Sequence, residues 1–279
     1  MSEEKLTSGK TSLTIYRDAP VWQGRTAAIG QFKCVDPQAG ADLLRTASDT
    51  LISEGFNSVV GPMDGSTWHA YRLVLDSDGS APFLMEPQSR AHDLSAFRKA
   101  GFDVIERYFS ARVAIETQAN GMPKPTKGLG VETWDGTDPE GFFRDVHALS
   151  LKAFSENVLY KPISEADFLA MYMPYVPMLV PDLILFARDE QGELAGFLFG
   201  LPNYAEGRTP SSVILKTYAS LQKGAGAMLA QQFHASAHYL GFSHAIHALI
   251  HEDNLSAIRS RQEGAGVLRR YGLMGRQLG

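Results

Sequence analysis

The chain has 279 residues, 44% of them hydrophobic and 20% charged, with a net charge of −5 at neutral pH. That length fits two domains of ordinary size, the composition excludes an extended disordered chain, and an acidic balance without any Lys/Arg-rich block excludes the basic footprint of a nucleic-acid binder. The single cysteine, Cys34, leaves no internal disulfide framework, and the polar start from Met1 to Ser12 does not read as a signal sequence, so a cytoplasmic protein is expected.

In chain order, Leu13 to Tyr16 and Ala27 to Val35 read as strands. Pro37 to Glu54 reads as an amphipathic helix with Leu43, Leu44, Ala47 and Leu51 on one face, and Phe56 to Val60 as another strand. GPMDGSTWHAYRL, which carries Trp68, Tyr71 and Arg72, reads as a loop over the sheet, either packed there or shaping a cleft between the halves. Ala96 to Gly101 closes a short helix and Val104 to Ile115 is strand-rich. Thr117 to Gly130 then replaces periodic apolar residues with Pro, Gly and polar ones. The expected division is a first domain over 1–120, a linker over 121–130 and a second domain over 131–279.

After the linker, Val131 to Trp134 reads as a strand, Glu140 to Phe154 as a helix, and Ser164 to Tyr172 as a second helix with a capping-box-like Ser164 and Asp167. Leu183 to Arg188 and Leu194 to Leu201, joined by Asp189-Glu190-Gln191-Gly192, form a hairpin signal. The apolar tract Met171 to Ala187 contains Pro174, Pro177, Pro181 and Asp182, which argues against a membrane span; it reads as a buried helix end and a strand. Val213 to Leu229, VILKTYASLQKGAGAML, is a β-branched run, a polar break, and Gly224-x-Gly226-x-x-Leu229 opening a helix that runs to Leu240. The free amides and dipole of such a helix start favour a phosphate group. Dinucleotide folds and acyl-CoA transferases both use this device, and a dinucleotide fingerprint places Gly or Ala where Leu229 stands. Phe242 to Ile250 is a further strand, a helix starts at Asp253-Asn254, and Val267 to Leu278 is a terminal strand. Five of the eight histidines fall between His234 and His251, and His234 with His238 has the i, i+4 spacing of one helix face. Ala235 stands where the H-E-x-x-H motif has Glu and no Cys pair exists, so an exposed helix face and no metal are expected.

Through Gly224, Gly226 and Leu229 the turn resembles the [QR]-x-x-G-x-[GA]-x-x-L signature of the GNAT superfamily of acyl-CoA-dependent N-acyltransferases, with Leu221 at its first position. Asn254-x-x-Ala257 resembles the N-x-x-A that lies beside the pantetheine arm in that superfamily; from the residue type alone, Asn254 reads equally as a helix cap. The element order of roughly the last 150 residues resembles a whole GNAT domain. The first 120 resemble the second half of one, ending in Lys99-Ala100-Gly101-Phe102. There Val35-Asp36-Pro37-Gln38 replaces the glycine turn; Pro37 lacks an N–H and Asp36 repels an anion, so this half is not expected to hold coenzyme. The implied fold class is α/β (α+β): two GNAT-like domains, the first degenerate, with mixed, mostly antiparallel sheets flanked by helices.

The resemblance implies transfer of an acyl group, in the first instance from acetyl-CoA, to a small amine that attacks the thioester directly. The backbone of Tyr218, Ala219 and Ser220 would polarise the carbonyl, and Gln222, Lys223, Gly224, Ala225, Gly226 and Ala227 would hold the pyrophosphate, with Lys223 otherwise a solvated loop lysine. Arg261 stands where the family has a Tyr acid, so Tyr218 is the residue expected at the thiolate; His247, His251 and Glu156 are base candidates, each also readable as structural. Phe154, Asn157, Tyr160 and Tyr175, with Met171, Tyr172 and Met173, suit an amphipathic or apolar acceptor or else pack as core. No nucleic-acid or membrane partner is expected. Leu221 and Arg261 leave a second reading open, a module that binds acyl-CoA or a partner without turnover.

Overall fold

The structure is a computed structural model that describes residues 2–117 and 126–279. Residues 121–125 of the expected linker lie outside the described residues, and 126–130 form a turn and the first residues of a strand. The first half comprises β1 (Glu3–Ser8), β2 (Thr11–Tyr16), β3 (Thr26–Lys33), α1 (Pro37–Ser53), β4 (Ser58–Gly61), β5 (Leu73–Ser77), α2 (Asp93–Lys99) and β6 (Asp103–Ala114). The second comprises β7 (Leu129–Thr133), α3 (Pro139–Ala153), α4 (Glu165–Tyr172), β8 (Ile184–Asp189), β9 (Leu194–Pro202), β10 (Ser212–Ser220), α5 (Ala225–Tyr239), β11 (His244–His251), α6 (Leu255–Gln262) and β12 (Gly266–Gln277). Two strands, β1 and β5, were not expected from the sequence. The tract after α4 also differs from expectation, because Met171, Tyr172 and Met173 are only half-buried and a short 3-10 turn over Met173–Met178 buries none of its residues. Pro174 and Pro177 prevent a regular helix there.

All of these strands join one sheet in the order β1-β2-β3-β4-β12-β6-β11-β10-β9-β8-β7, with β5 paired to β12. The sheet is antiparallel except at β3–β4 and β10–β11, where a helix, α1 or α5, carries the chain across to the parallel neighbour. The halves interleave: the final strand β12 lies between β4 and β6, and β6 lies between β12 and β11. Among the described residues, no helix is long and apolar enough to cross a membrane.

The two crossover helices bury the stripes that their spacing defines. On α1, Leu44, Ala47 and Leu51 are fully buried against Leu13, Ile29 and Phe97. On α5, Leu229, Phe233 and Ala237 are fully buried with Leu185, Leu198 and Val213. Gly200 on β9 makes this approach possible, since a Cβ there would lie 2.3 Å from Cε2 of Phe233. On the other face, α3 and α4 pack an aromatic cluster of Phe142, Phe143 and Phe168 with Phe186 and Phe197 of the sheet.

Candidate functional site

The two parallel pairs meet different fates. In the second half the β10–β11 ladder runs from Ser212–His244 to Leu215–His247 and then stops. Both strands bulge at that level: β10 shifts register against β9 between Leu215 and Thr217, and β11 shifts against β6 between His247 and Ile250, where Leu249 has φ 58°. Bulges bend strands and raise their twist, so the strands diverge and a wedge opens between them. Beyond Leu215, the edge of β10 facing β11 has no ladder partner. In the first half the β3–β4 ladder also stops early, at Ala28–Val60, but the chain itself fills the space. The N–H of Met63 donates to Ile29 O at 2.8 Å and the N–H of Gln31 to the Asp64 carboxylate at 2.7 Å.

The helix starts differ in the same sense. At α1, Asp36 accepts from the N–H groups of Gln38 and Ala39, each at 2.8 Å, so its own carboxylate takes the place an anion would occupy. At α5, Gly224 is the cap, at φ 96°, and as a glycine it brings no side chain of its own to the helix start. Only glycine suits this position, both for the positive φ and because a Cβ would come within 2.8 Å of Thr126 Oγ1. Asn254 precedes α6 at ψ 151° and makes no side-chain cap hydrogen bond. The residue borders the cavity described next.

A cavity of about 1200 Å³ occupies the wedge and continues between the halves. Tyr218, His247, His251, Glu156 and Asn254 all line it, as do Phe154, Asn157, Tyr160 and Tyr175. Ala219, Ser220 and the turn from Gln222 to Ala227 lie outside its wall. Trp68 of the first half joins these aromatics: its Nε1 donates to Lys161 O at 2.7 Å, and its ring meets Phe154, Tyr160 and Phe168 edge to face.

The titratable groups on this wall are distinct in character. Tyr218 is raised by burial and partly offset by Arg259, whose Nη1 donates to the Tyr218 hydroxyl at 3.4 Å and to Gly226 O at 3.0 Å. His247 is buried and held at both ring nitrogens, by His234 Nε2 at 3.1 Å and Ser260 Oγ at 3.0 Å; desolvation, then the neighbouring His234, brings it down to about 3. Burial brings His234 down to about 4. His234 is thus a core residue, contrary to the expected exposed face, while His238 is exposed. Ligand atoms of His234, His247 and Glu263 lie within 4.8 Å of one another, the one grouping among the described residues near enough to hold a metal ion. His251 is paired with Glu106 at 2.7 Å and accepts from the N–H of Asp253 at 3.2 Å. Glu156 is exposed at the cavity's edge, and Arg261 lies over Phe109, 5.7 Å from its ring centre.

Lys216, absent from the sequence-derived candidates, is the extra residue of the β10 bulge. Its Nζ donates to Met85 O at 3.3 Å, and desolvation, helped by the charge of Arg72, brings it down to about 8. A lysine inside the run VILKTYAS was its only sequence signal.

No protein-family model and no curated protein sequence matches this chain. Solved structures do. A GCN5-related N-acetyltransferase from Sphaerobacter thermophilus aligns with a TM-score of 0.59 at 13% identity, over 98% of this chain and 82% of that one. A tandem GNAT protein from the clavulanic acid biosynthesis pathway aligns with a TM-score of 0.56 at 15% identity, over 100% of this chain and 84% of the other. A GCN5-related N-acetyltransferase from Anabaena variabilis aligns with a TM-score of 0.57 at 11% identity, over 96% of this chain and 60% of its own. What is shared at these identities is the fold: the chain has a GNAT-type fold along its whole length.

Proposed function

We propose that this chain is an acyl-CoA-dependent N-acyltransferase that takes its acyl group from acetyl-CoA and passes it to a small amine. One observation carries the reading: the second half keeps open, from Leu215–His247 onward, the wedge that the first half fills with Met63 and Asp64. A pantetheine arm fits along the unpaired edge of β10, with Asn254 beside it and the pyrophosphate on the amides of Gln222 to Ala227, where Lys223 adds charge.

In this reading the neutral amine attacks the thioester carbonyl, whose oxygen is polarised by a backbone N–H in Tyr218 to Ser220. The adduct collapses to an amide and a thiolate, and the Tyr218 hydroxyl, kept protonated by burial, gives the thiolate its proton. Glu156 takes the proton of the incoming amine, directly or through water. His247 and His251 serve structure, because hydrogen bonds already occupy both ring nitrogens of each.

Thiol release from acetyl-CoA across a panel of small amines tests the proposal. Steady release is expected with at least one amine, falling roughly 10²-fold or more in Tyr218→Phe and in Glu156→Gln. Coenzyme binding without release for any amine would instead favour the non-catalytic module.

A further inference from the structure

Arg72 follows the strand bridge at Met63–Tyr71 and is held at φ 70°, a conformation that costs a non-glycine residue energy and concentrates at functional sites. The residue is 8% exposed. Its guanidinium lies between the rings of Tyr71 and Tyr108, 3.9 and 4.0 Å from their centres. Nη1 donates to Leu249 O at 3.2 Å, whereas the buried Nε has no acceptor among the described residues. Among the described residues, no carboxylate forms an ion pair with Arg72 or with Lys216, and both line the cavity. Glu86, the carboxylate whose charge Lys216 feels, is taken by Arg269 and Tyr271.

Buried charges in proteins are paired, because an uncompensated ion out of water is costly. Here a buried cation, Arg72, and a half-buried one, Lys216, line the same cavity, close enough for the charge of Arg72 to oppose protonation of Lys216. The tyrosine stacking fixes the guanidinium plane, which suits the planar fork for a carboxylate. We infer that Arg72 and Lys216 form a carboxylate-binding site, so that one of the two substrates carries a carboxylate beyond the reacting groups. This assignment rests on the acyltransferase reading. Two sources share the chemistry: the acceptor, which would then be an amino acid, or the acyl tail of a dicarboxylic acyl-CoA.

Matched pairs separate them. In one arm, phenylalanine against phenethylamine and lysine against cadaverine are compared with acetyl-CoA as donor. In the other, succinyl-CoA is compared with butyryl-CoA on an amine without a carboxylate. Each compound is scored by thiol release and by thermal shift of the full chain. The carboxylate-bearing member is expected to be preferred in one arm on the order of ten- to a hundred-fold, with the preference lost in Arg72→Gln and in Lys216→Met. Lys216→Met keeps the test informative if Arg72→Gln does not fold. Absence of a carboxylate preference in both arms and both readouts overturns the site, as does a preference that survives in both variants. Failure of the acyltransferase reading looks different: acetyl-CoA gives no thermal shift in the wild type, while carboxylate-bearing amines still stabilise it and Arg72→Gln removes that effect.

Discussion

His247 and His234 are neutral in the folded chain because burial disfavours their charged forms, with values of about 3 and about 4. Unfolded, each takes up a proton near pH 6.5. Between those limits the unfolded state binds more protons, so the stability that these residues allow is fully present above about pH 6.5 and is lost toward pH 4. Glu263, raised by burial, acts in the opposite sense and offsets part of that loss. His234→Gln is therefore expected to flatten the acid limb of melting temperature against pH; a limb as steep as in the wild type contradicts the assignment. The sequence paired His234 with His238 because spacing reports a helix face. The actual partner, His247, is thirteen residues away on a strand, and no periodicity states which strand a helix covers. Tyr218 was legible as a central-strand aromatic, and Arg72 only as one residue of a loop over the sheet. What was not legible is that no carboxylate among the described residues pairs with Arg72, since this is a property of everything packed around it.

At the scale of elements, the signals that worked were burial stripes and punctuation. Pro37, the run from Leu43 to Leu51, and the glycines of the α5 turn placed their helices because a helix buries one face and needs a cap. β1 escaped notice because its residues EEKLTS bury little, with only Glu4 and Leu6 partly covered. β5 escaped because five residues starting after a strained arginine show no alternation. The contrast between Asp36 and Gly224 at equivalent helix starts was visible in the sequence, and the structure gives half of it a physical meaning: α1 is capped by its own carboxylate, whereas the cap residue of α5 has no side chain. Asp36→Ala is accordingly expected to cost about 1 kcal/mol in chemical denaturation. A negligible cost would mean that the carboxylate does not cap α1.

Over the whole molecule, the sequence gives the order of elements but not their pairing, because strand partners far apart in the chain leave no local trace. β12 contacts the first half through β4, β5 and β6, and β6 joins both halves through β11. Neither half keeps its sheet if the other unfolds, so calorimetry is expected to show one transition; two separate transitions would mean that the strand exchange does not couple them. The same interleaving places Arg72 and Trp68 of the first half on the cavity that opens at the β10–β11 wedge. The central claim is that this wedge and the α5 turn receive acyl-CoA. Its most direct test is the melting temperature with and without millimolar acetyl-CoA, with NAD as control, since a ligand at about 100 times its dissociation constant stabilises by about 2.7 kcal/mol. A rise with acetyl-CoA alone, abolished in Gly224→Glu, is the predicted result; no rise, or an equal rise in Gly224→Glu, would contradict the account.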